Sequence, residues 1–374
     1  MKSSWKRSKK VMKMSDEEIS NELTEIGEII IQKVRENEVP SVQIPSRTTS
    51  NIVYDENLEC YVLGGKRTER SAGNIRHVKR LAQMLKVASF CKNELMGTER
   101  HVTKRELYYI SESWGDKLKF KTQDRSDDLV EDIEAMIGKP REDLKINPKA
   151  KGSIYGDMTL KFKNPKGETM AVNCLDSADG QSIGPRTCEA DIIECNADKV
   201  LAIETDGMYN RLMEENAHEK FNAILVNLGG QATRATRRII KRINEIKDIP
   251  TYIFTDSDPW GLHIAMVIIA GSAKSAHINE RLATPDAQWL GVTASDIADY
   301  KLRSDELREV DLKRVDELKN DPRYTKNDRL VQELEKWEEL GRKSEQQALM
   351  RYGFEYVVDE YLPAKLKELG APGF

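Results

Sequence analysis

Three β-prone apolar runs alternate with helix-type segments between residues 200 and 270. We predict strands at 200–205, 223–228 and 251–256, and after each of them a helix, at 208–218, 232–246 and 260–270. Strands and helices that alternate with short connections are typical of a parallel sheet covered by helices. This pattern therefore predicts an α/β domain in the second half of the chain.

Two of these strands end in acidic residues. The run VLAIETDG delivers Glu204, and the run TYIFTDSDPWG delivers Asp256 and Asp258 before Pro259 ends it. Parallel strands meet at one carboxyl edge, where open α/β folds place their sites, and residues at i and i+2 of a strand end point the same way. Carboxylate oxygens suit Mg²⁺. The pattern indicates a Mg²⁺ site, although acidic residues that simply close a strand would look the same.

Length and cysteine content narrow the class of protein. A chain of 374 residues is long enough for two or three domains. Its five cysteines are odd in number and contain no C-x-x-C pair, which argues against a disulfide framework or a zinc site. The chain also lacks a signal-peptide pattern and an apolar run long enough for a bilayer. We expect a soluble, cytoplasmic protein with no membrane partner.

Basic residues cluster in two segments although the net charge is −4. Residues 66–105 contain eleven Lys/Arg against three Glu, and residues 231–242 contain five basic residues and no acid. Neutralisation of phosphates supplies most non-specific DNA affinity, so these clusters favour a nucleic-acid partner. The candidate DNA-binding residues are Lys104, Arg234, Arg237 and Arg238. Ordinary solvated helix faces remain the alternative.

The first half of the chain does not show the strand-helix alternation of the second half. A basic tail at 1–13, which we expect to be disordered, precedes a helix at 16–36 that Ser15 and Glu18 open with a capping box, and a hairpin is predicted at 51–64. Three helices follow between residues 74 and 137, and then the strand-like segments SIYGDMTLKF and TMAVNC. This order is consistent with a winged helix-turn-helix. The charged, helical C-terminal third is interpreted mainly as scaffold or oligomer surface.

A second chemical feature is the segment KRELYY at residues 104–109. Arg105 and Tyr109 are four residues apart and share a helix face, so an arginine fork could hold a phosphate that the phenol attacks. Both Tyr108 and Tyr109 could instead be core aromatics, since Leu107 lies on the expected core face and helical periodicity does not separate the two tyrosines.

Taken together, RELYY, ETDG, NLGGQATRATRR and TDSDPWG resemble the A subunit of archaeal type IIB DNA topoisomerase (topoisomerase VI), a family related to the meiotic transesterase that initiates recombination. The resemblance runs from about Lys66 to the C-terminus. It implies a mixed α/β chain in which a winged-helix (CAP-like) domain at 69–150 precedes a Toprim, Rossmann-like parallel-sheet domain at 151–374, after an N-terminal segment at 1–68.

The resemblance also implies roles for particular residues. It selects Tyr109 as the nucleophile, Arg105 as its basic partner and Tyr108 as a packing residue. It assigns Mg²⁺ to Glu204, Asp256 and Asp258. The expected reaction is an ATP-dependent isomerisation of duplex DNA through transient double-strand breaks with 5′-phosphotyrosyl links.

The expected assembly is a homodimer of this chain with an ATPase B subunit, an A2B2 heterotetramer. In the family the tyrosine of one protomer is thought to meet the metal site of the other. ATP would bind only the partner, because GGQATR lacks the Lys-Ser/Thr of a phosphate-binding loop.

Three alternatives stay open from the sequence alone. One is a recombination-type transesterase that breaks DNA without strand passage. Another is a Toprim metal-dependent nuclease in which the tyrosine is only structural. The last is a non-catalytic DNA-binding scaffold whose acidic residues cap strands.

Overall fold

The three strand-helix pairs expected after residue 200 are present in the computed structural model of the protein, which describes residues 15–148 and 150–374. The basic tail expected to be disordered, at 1–13, lies outside the described residues. The described chain divides into two compact units. The first runs to Asn51 and from Leu63 to Asn147, and the second comprises Ile52–Val62 and the chain from Pro148 onward. No helix of the described ranges is long and apolar enough to cross a membrane.

The strands are β1 (Ser41–Pro45), β2 (Ile52–Asp55), β3 (Cys60–Leu63), β4 (Arg67–Ser71), β5 (Ser153–Tyr155), β6 (Met158–Lys163), β7 (Thr169–Asn173), β8 (Gln181–Ser182), β9 (Asp191–Cys195), β10 (Lys199–Ile203), β11 (Ala223–Asn227), β12 (Thr251–Phe254), β13 (Gln288–Gly291), β14 (Asp305–Glu306) and β15 (Arg342–Lys343). The α-helices are α1 (Asp16–Arg35), α2 (Ile75–Phe90), α3 (Lys104–Ile110), α4 (Gln123–Ile137), α5 (Asp206–Glu214), α6 (Ala217–Lys220), α7 (Arg234–Lys247), α8 (Pro259–Ile269), α9 (Ala294–Asp299), α10 (Glu309–Lys319), α11 (Pro322–Thr325), α12 (Asp328–Leu340) and α13 (Leu362–Glu368).

The first unit is built on helices whose ends the sequence encodes locally. A capping box opens α1 at Ser15, as predicted, and another opens α3 at Thr103, each with a glutamate three residues later. Gly138 ends α4 in the left-handed conformation that glycine adopts without strain. Helices α1, α2 and α4 enclose an apolar core together with β1, which pairs antiparallel with β4. The prediction of three helices between residues 74 and 137 is confirmed.

The strands expected to follow these helices as a wing lie elsewhere. Strand β5 pairs antiparallel with β11 in the second unit, and β6 pairs with β7 and β9 in a separate sheet of three strands in that unit. The segments SIYGDMTLKF and TMAVNC therefore pair within the second unit and supply no wing to the three-helix unit. Short strands carry no local signal that tells which unit they will join, because their partners lie far along the chain.

The main sheet of the second unit has the strand order β13-β12-β10-β11-β5-β8. Strand β10 pairs parallel with both β11 and β12, and β12 pairs parallel with β13. The predicted parallel sheet is therefore confirmed. The helix expected at 208–218 is broken into α5 and α6 by Asn216, whose φ of 56° lies in the left-handed region.

Helices cover both faces of this sheet. Alternate residues of β10 point to opposite faces, so Val200 and Ala202 join a core with α7 and α8, whereas Leu201 and Ile203 join a core with α5 and α13. All residues of β10, β11 and β12 are buried, as expected for strands covered on both sides. At the carboxyl edge of the sheet, Asn227 ends β11, and Glu204 and Asp256 follow β10 and β12.

Candidate active site

The acidic residues predicted from the strand ends lie together. In the parallel pair β10 and β12, Ile203 stands opposite Phe254, so the residues that follow the two strands are neighbours at one edge. The backbone N–H of Asp256 donates a hydrogen bond of 2.9 Å to Oε2 of Glu204. Asp258 lies two residues further on, where its carboxylate caps α8 and accepts from the N–H of Gly261 at 2.6 Å.

The electrostatics of this edge oppose negative charge. Burial, and then the neighbouring Asp256, raise the pKa of Glu204 to about 8. Burial also raises the pKa of Asp256 to about 6, with a further contribution from Asp258, and burial raises the pKa of Asp258 as well. A bound cation would reverse these effects, because an opposite charge favours the ionised carboxylates. An edge with three half-buried carboxylates fits a cation in its electrostatics and in its donor chemistry.

The donor atoms at the edge suit a hard divalent ion such as Mg²⁺, since the three side chains offer only oxygens. Within residues 15–148 and 150–374, however, no three His, Cys, Asp or Glu side chains form a ready-made ligand cluster. Each of the three carboxylates accepts a hydrogen bond from a backbone N–H: Glu204 from Asp256, Asp256 from Gln346, and Asp258 from Gly261. Glu204 and Asp256 are the pair that the backbone hydrogen bond holds together.

A C-terminal segment that the sequence led us to interpret as scaffold or oligomer surface completes this edge. Ser344 pairs with Ser257, between the two aspartates, through backbone hydrogen bonds of 2.8 and 3.0 Å. The N–H of Gln346 donates to Oδ1 of Asp256 at 2.9 Å, and its side chain accepts from Thr205 at 3.0 Å. The expectation that most of the C-terminal third is scaffold or oligomer surface did not single out residues 343–347. Contacts about ninety residues apart leave no periodic signal in a sequence.

Lys343 adds a positive charge to the same edge. Its Nζ contacts Oδ2 of Asp311 at 2.7 Å, and its charge acts to lower the pKa of Asp258 against the larger effect of burial. Asp311 is fully buried, and against the effect of that burial its hydrogen bonds to Lys343 and Arg308 lower its pKa to about 2. The indole Nε1 of Trp260 donates to the same carboxylate at 3.2 Å. Asp311 thus fixes the lysine and the start of α8 beside the acidic edge.

The first unit presents the two tyrosines of α3 differently. Leu107 is fully buried and Tyr108 packs against the core, whereas Tyr109 is 53% exposed. The guanidinium of Arg105, also exposed, lies 5.9 Å from the centre of the Tyr109 ring. The structure therefore makes the phenol of Tyr109 accessible and places a cation beside it, a distinction that helical periodicity did not provide.

The predicted DNA-binding residues are in varied surroundings. Lys104 bonds Asp127 at 2.7 Å and lies 3.7 Å from Glu131, and Arg238 pairs with Glu189 at 3.0 Å. Arg237, in α7, is only 5% exposed. An arginine buried to this degree has to move before it can contact a phosphate. Arg234, half-buried at the first position of α7, is the residue of this set nearest a helix N-terminus, where anions are favoured.

Two family models match the chain. The model of the Toprim domain shared by the topoisomerase 6 A subunit with Spo11 matches residues 199–366, the segment that contains the parallel sheet and its acidic edge. The model described as type IIB DNA topoisomerase matches residues 79–146, the segment that contains Tyr109. The fold and the site therefore define a Toprim-containing protein of the type IIB topoisomerase class.

Similar proteins are named as the A subunit of type 2 DNA topoisomerase 6. The protein of Methanothermobacter thermautotrophicus is 47% identical over 93% of this chain and 96% of its own length. Those of Methanosarcina mazei and Halobacterium salinarum are 40% and 37% identical, over 93% and 95% of this chain and 94% and 98% of their own lengths. This chain belongs to the family of topoisomerase 6 A subunits, and it is an enzyme of the DNA topoisomerase class of isomerases.

Proposed function

We propose that this chain is the DNA cleavage and religation subunit of an ATP-dependent type IIB topoisomerase. The observation that carries the proposal is the exposed phenol of Tyr109 beside the guanidinium of Arg105. The acidic edge of the second unit supports it, because a buried group of carboxylates is a place for the metal that such a reaction uses. The three helices of the first unit would act as a winged-helix (CAP-like) DNA-binding domain.

The reaction is an exchange of one phosphodiester for another. The Tyr109 oxygen loses its proton and attacks a backbone phosphorus, the bond from phosphorus to the 3′ oxygen breaks, and that oxygen takes up a proton. The products are a 5′-phosphotyrosyl link and a free 3′-hydroxyl. Because the phosphoester count is unchanged, attack by the 3′-hydroxyl reseals the strand with no cofactor. Arg105 stabilises negative charge on the phenolate and on the phosphate it attacks.

The carboxylates would contribute through a metal ion that stabilises charge on the transferring phosphate or its neighbour. Glu204, Asp256 and Asp258 would hold Mg²⁺, which supplies positive charge to the phosphate oxygens. These side chains extend from the ends of buried strands, so their backbone positions are fixed. Charges that are preorganised in this way stabilise a transition state. The DNA contacts, with Arg234 as the best-placed member of the predicted set, address phosphates, so low sequence specificity is expected.

The proposed assembly contains more than this chain. The relatives are named as A subunits, which supports a partner B subunit. We propose a homodimer of this chain with two ATPase B subunits, in which ATP hydrolysis gates the passage of a second duplex and the cleavage chemistry itself uses none. Relaxation or decatenation of DNA in the nucleoid would then be the activity of the A2B2 complex.

The test is a comparison of the two neighbouring tyrosines in that complex. The chain is incubated with its B subunit, ATP, Mg²⁺ and supercoiled DNA, and covalent breaks are trapped with denaturant. We expect Tyr109→Phe to lose relaxation and adduct formation by on the order of 10⁴-fold or more, as for removal of a nucleophile. Tyr108→Phe, which removes only the hydroxyl of a packing ring, keeps both.

Three results would contradict the proposal. An adduct that persists in folded Tyr109→Phe would assign the nucleophile elsewhere. Cleavage that yields no covalent adduct with the parent chain would favour a Toprim nuclease. Trapped breaks without any relaxation would favour a transesterase that makes breaks but does not pass strands.

A further inference from the structure

The C-terminal segment at the acidic edge contains a glutamine in an unusual position. Gln346 is fully buried, although its side chain is polar and its neighbours Glu345 and Gln347 are exposed. Its side-chain Oε1 accepts a hydrogen bond of 3.0 Å from Oγ1 of Thr205. Its backbone N–H donates one of 2.9 Å to Oδ1 of Asp256.

These two bonds connect the ends of two different strands. Thr205 follows Glu204 at the end of β10, and Asp256 lies just after the end of β12. Apart from the direct bond between the Asp256 N–H and Glu204, Gln346 is thus a second bridge across the same pair of strand ends. A bridge through one buried residue restricts how far the two strand ends, and with them Glu204 and Asp256, can move apart.

Burial of Gln346 also costs free energy, and packing alone does not explain why a polar side chain is buried there. Its Nε2 is shielded from solvent and has no hydrogen-bond partner among the described residues. A buried donor without a partner is unfavourable, and an apolar side chain of the same size would avoid the penalty. The hydrogen bonds made by its side-chain oxygen and its backbone N–H therefore explain a glutamine at this position better than the volume of the side chain does.

We propose that Gln346 is a positioning residue of the acidic edge: it sets the separation of Glu204 and Asp256 at which both can bind one divalent cation. The inference rests on the proposed function, in which these carboxylates hold Mg²⁺. Mg²⁺ requires near-ideal octahedral geometry with short bonds, so small displacements of its ligands reduce its affinity. Residues that orient metal ligands typically change metal affinity about 10- to 100-fold when they are replaced.

Substitutions at position 346 separate positioning from packing. Gln346→Met keeps the length and volume of the side chain but cannot accept from Thr205, and we expect its Mg²⁺ affinity to be about tenfold weaker. Gln346→Glu keeps an acceptor oxygen for Thr205, so it retains parental or tighter affinity. A role in packing alone predicts the reverse order, since methionine fills a buried space better than a carboxylate does.

Mg²⁺ affinity is measured by calorimetry on the full chain without its partner, and Mn²⁺ is used as a paramagnetic probe of the same site. Thermal unfolding in EDTA shows that each variant is folded. The Mg²⁺ concentration that gives half-maximal cleavage by the complex with the B subunit should shift in parallel with the affinity of the chain.

A double-mutant cycle with Thr205 tests the bond itself. Thr205→Val removes the donor and Thr205→Ser keeps it, so the serine variant should bind Mg²⁺ like the parent. If the hydrogen bond between Thr205 and Gln346 is responsible for the change in Mg²⁺ affinity, the double variant Thr205→Val, Gln346→Met binds Mg²⁺ no more weakly than Thr205→Val alone. Gln347→Met is the matched control, because Gln347 also donates to Thr205, at 3.1 Å, but is exposed and can exchange that bond for water.

Two outcomes overturn the inference. Parental Mg²⁺ affinity in folded Gln346→Met, or fully additive effects in the cycle, would show that Gln346 does not position the carboxylates. If the parent chain itself bound no Mg²⁺, the metal-binding part of the proposed function would fail, and this inference would fail with it. The parental measurement therefore distinguishes the two failures.

Discussion

Single residues near the acidic edge have surroundings that oppose their charge. Glu204 is the clearest case, because both burial and a neighbouring carboxylate favour its neutral form. His263, in α8, is another: burial, followed by the charges of Arg314 and Arg323, lowers the pKa of its imidazole to about 4, against the smaller opposing effects of Asp321 and Glu317. Its Nδ1 lies 3.2 Å from the hydroxyl of Tyr324. A neutral histidine in contact with a buried phenol is a packing element.

His263 should make the protein sensitive to mild acid. The unfolded chain takes up a proton on this residue near its ordinary pKa of 6.5, whereas the folded chain does so only near 4. Between these values the unfolded state binds more protons, so the free energy of unfolding falls as the pH drops from about 6.5 to 4. At 1.36 kcal/mol per pKa unit, and with allowance for partial exposure, the loss is on the order of 2 kcal/mol.

The measurement is denaturant-induced unfolding at several pH values, followed by tryptophan emission. His263→Asn cannot titrate in this range, and all other groups are common to both proteins, so the difference between the two pH profiles isolates the histidine. We expect the variant to be less stable than the parent at pH 7.5 and the gap to narrow as the pH falls to 4. Profiles that run parallel would contradict the assignment.

At this scale the sequence located the acidic residues at the strand ends, but it did not give the surroundings of each residue. Glu204, Asp256 and Asp258 were identified because a strand end and an acidic residue are adjacent in the chain. Exposure of Tyr109 depends on how α3 lies on its core, which a seven-residue helix does not encode by periodicity. The burial of Arg237 likewise follows from the packing of α7, which the run of basic residues around it does not reveal.

At the scale of elements, the acidic edge depends on the turn between β12 and α8, in which two backbone segments pack closely against each other. Asp258 caps the helix, Pro259 occupies its first turn, and Gly261 lies against the carbonyl of Asp256. A Cβ on Gly261 would come within 2.3 Å of that carbonyl oxygen. The glycine therefore allows the first turn of α8 to pack under the loop that carries both aspartates.

Gly261→Ala should damage the site without changing any of its polar side chains. We expect a cost of about 1 to 3 kcal/mol in the free energy of unfolding, as for overpacked positions, and weaker Mg²⁺ binding because Asp256 must shift. Gly207→Ala is the matched control: it lies in the first turn of α5, after the other acidic strand end, and its Cβ would meet only Gln347 Nε2 at 3.5 Å.

The control substitution should be neutral or stabilising by about 0.4 to 1 kcal/mol, since alanine reduces the freedom of the unfolded chain. Chemical denaturation and calorimetric titration with Mg²⁺ give the two quantities for each variant. Equal effects of the two substitutions would show that the close approach at Gly261 does not position the aspartates.

Elements with local signals were predictable and elements with distant partners were not. Strands β10, β11 and β12 appear at the expected places because each is a buried run with a turn on both sides. The pairing of Ser344 with Ser257, by contrast, joins segments that are far apart in the chain, and neither segment alternates like a strand. The acidic half of the site was therefore found from the sequence, and the segment that closes it was not.

At the scale of the whole molecule, chain order and compact units do not coincide. The hairpin of β2 and β3 interrupts the first unit in sequence, yet residues 52–62 belong to the second. The domain boundaries implied by the family resemblance, near 68 and 150, divide the chain into consecutive segments and so cannot express such an interruption. Tyr109 lies in the first unit, and Glu204, Asp256 and Asp258 lie in the second.

The proposed dimer raises the question of whether Tyr109 and the carboxylates of one site come from the same protomer or from different protomers. If the tyrosine of one protomer acts with the carboxylates of its partner, a mixed dimer of Tyr109→Phe and Glu204→Ala protomers has one intact composite site. It should nick one strand and leave a single covalent adduct, although neither variant forms an adduct as a homodimer. The two proteins, carrying different affinity tags, are purified together with the B subunit, then tested on supercoiled DNA with ATP and Mg²⁺.

The reciprocal pairing makes the outcome decisive. A mixed dimer of the parent chain with a Tyr109→Phe, Glu204→Ala double variant contains no intact site if the groups act between protomers, because each wild-type group then faces a defective partner. It contains one intact site if they act within a protomer. Nicking by the first mixture and none by the second supports action between protomers; the opposite pattern means that each chain supplies a whole site, and then the dimer is needed only to cut both strands.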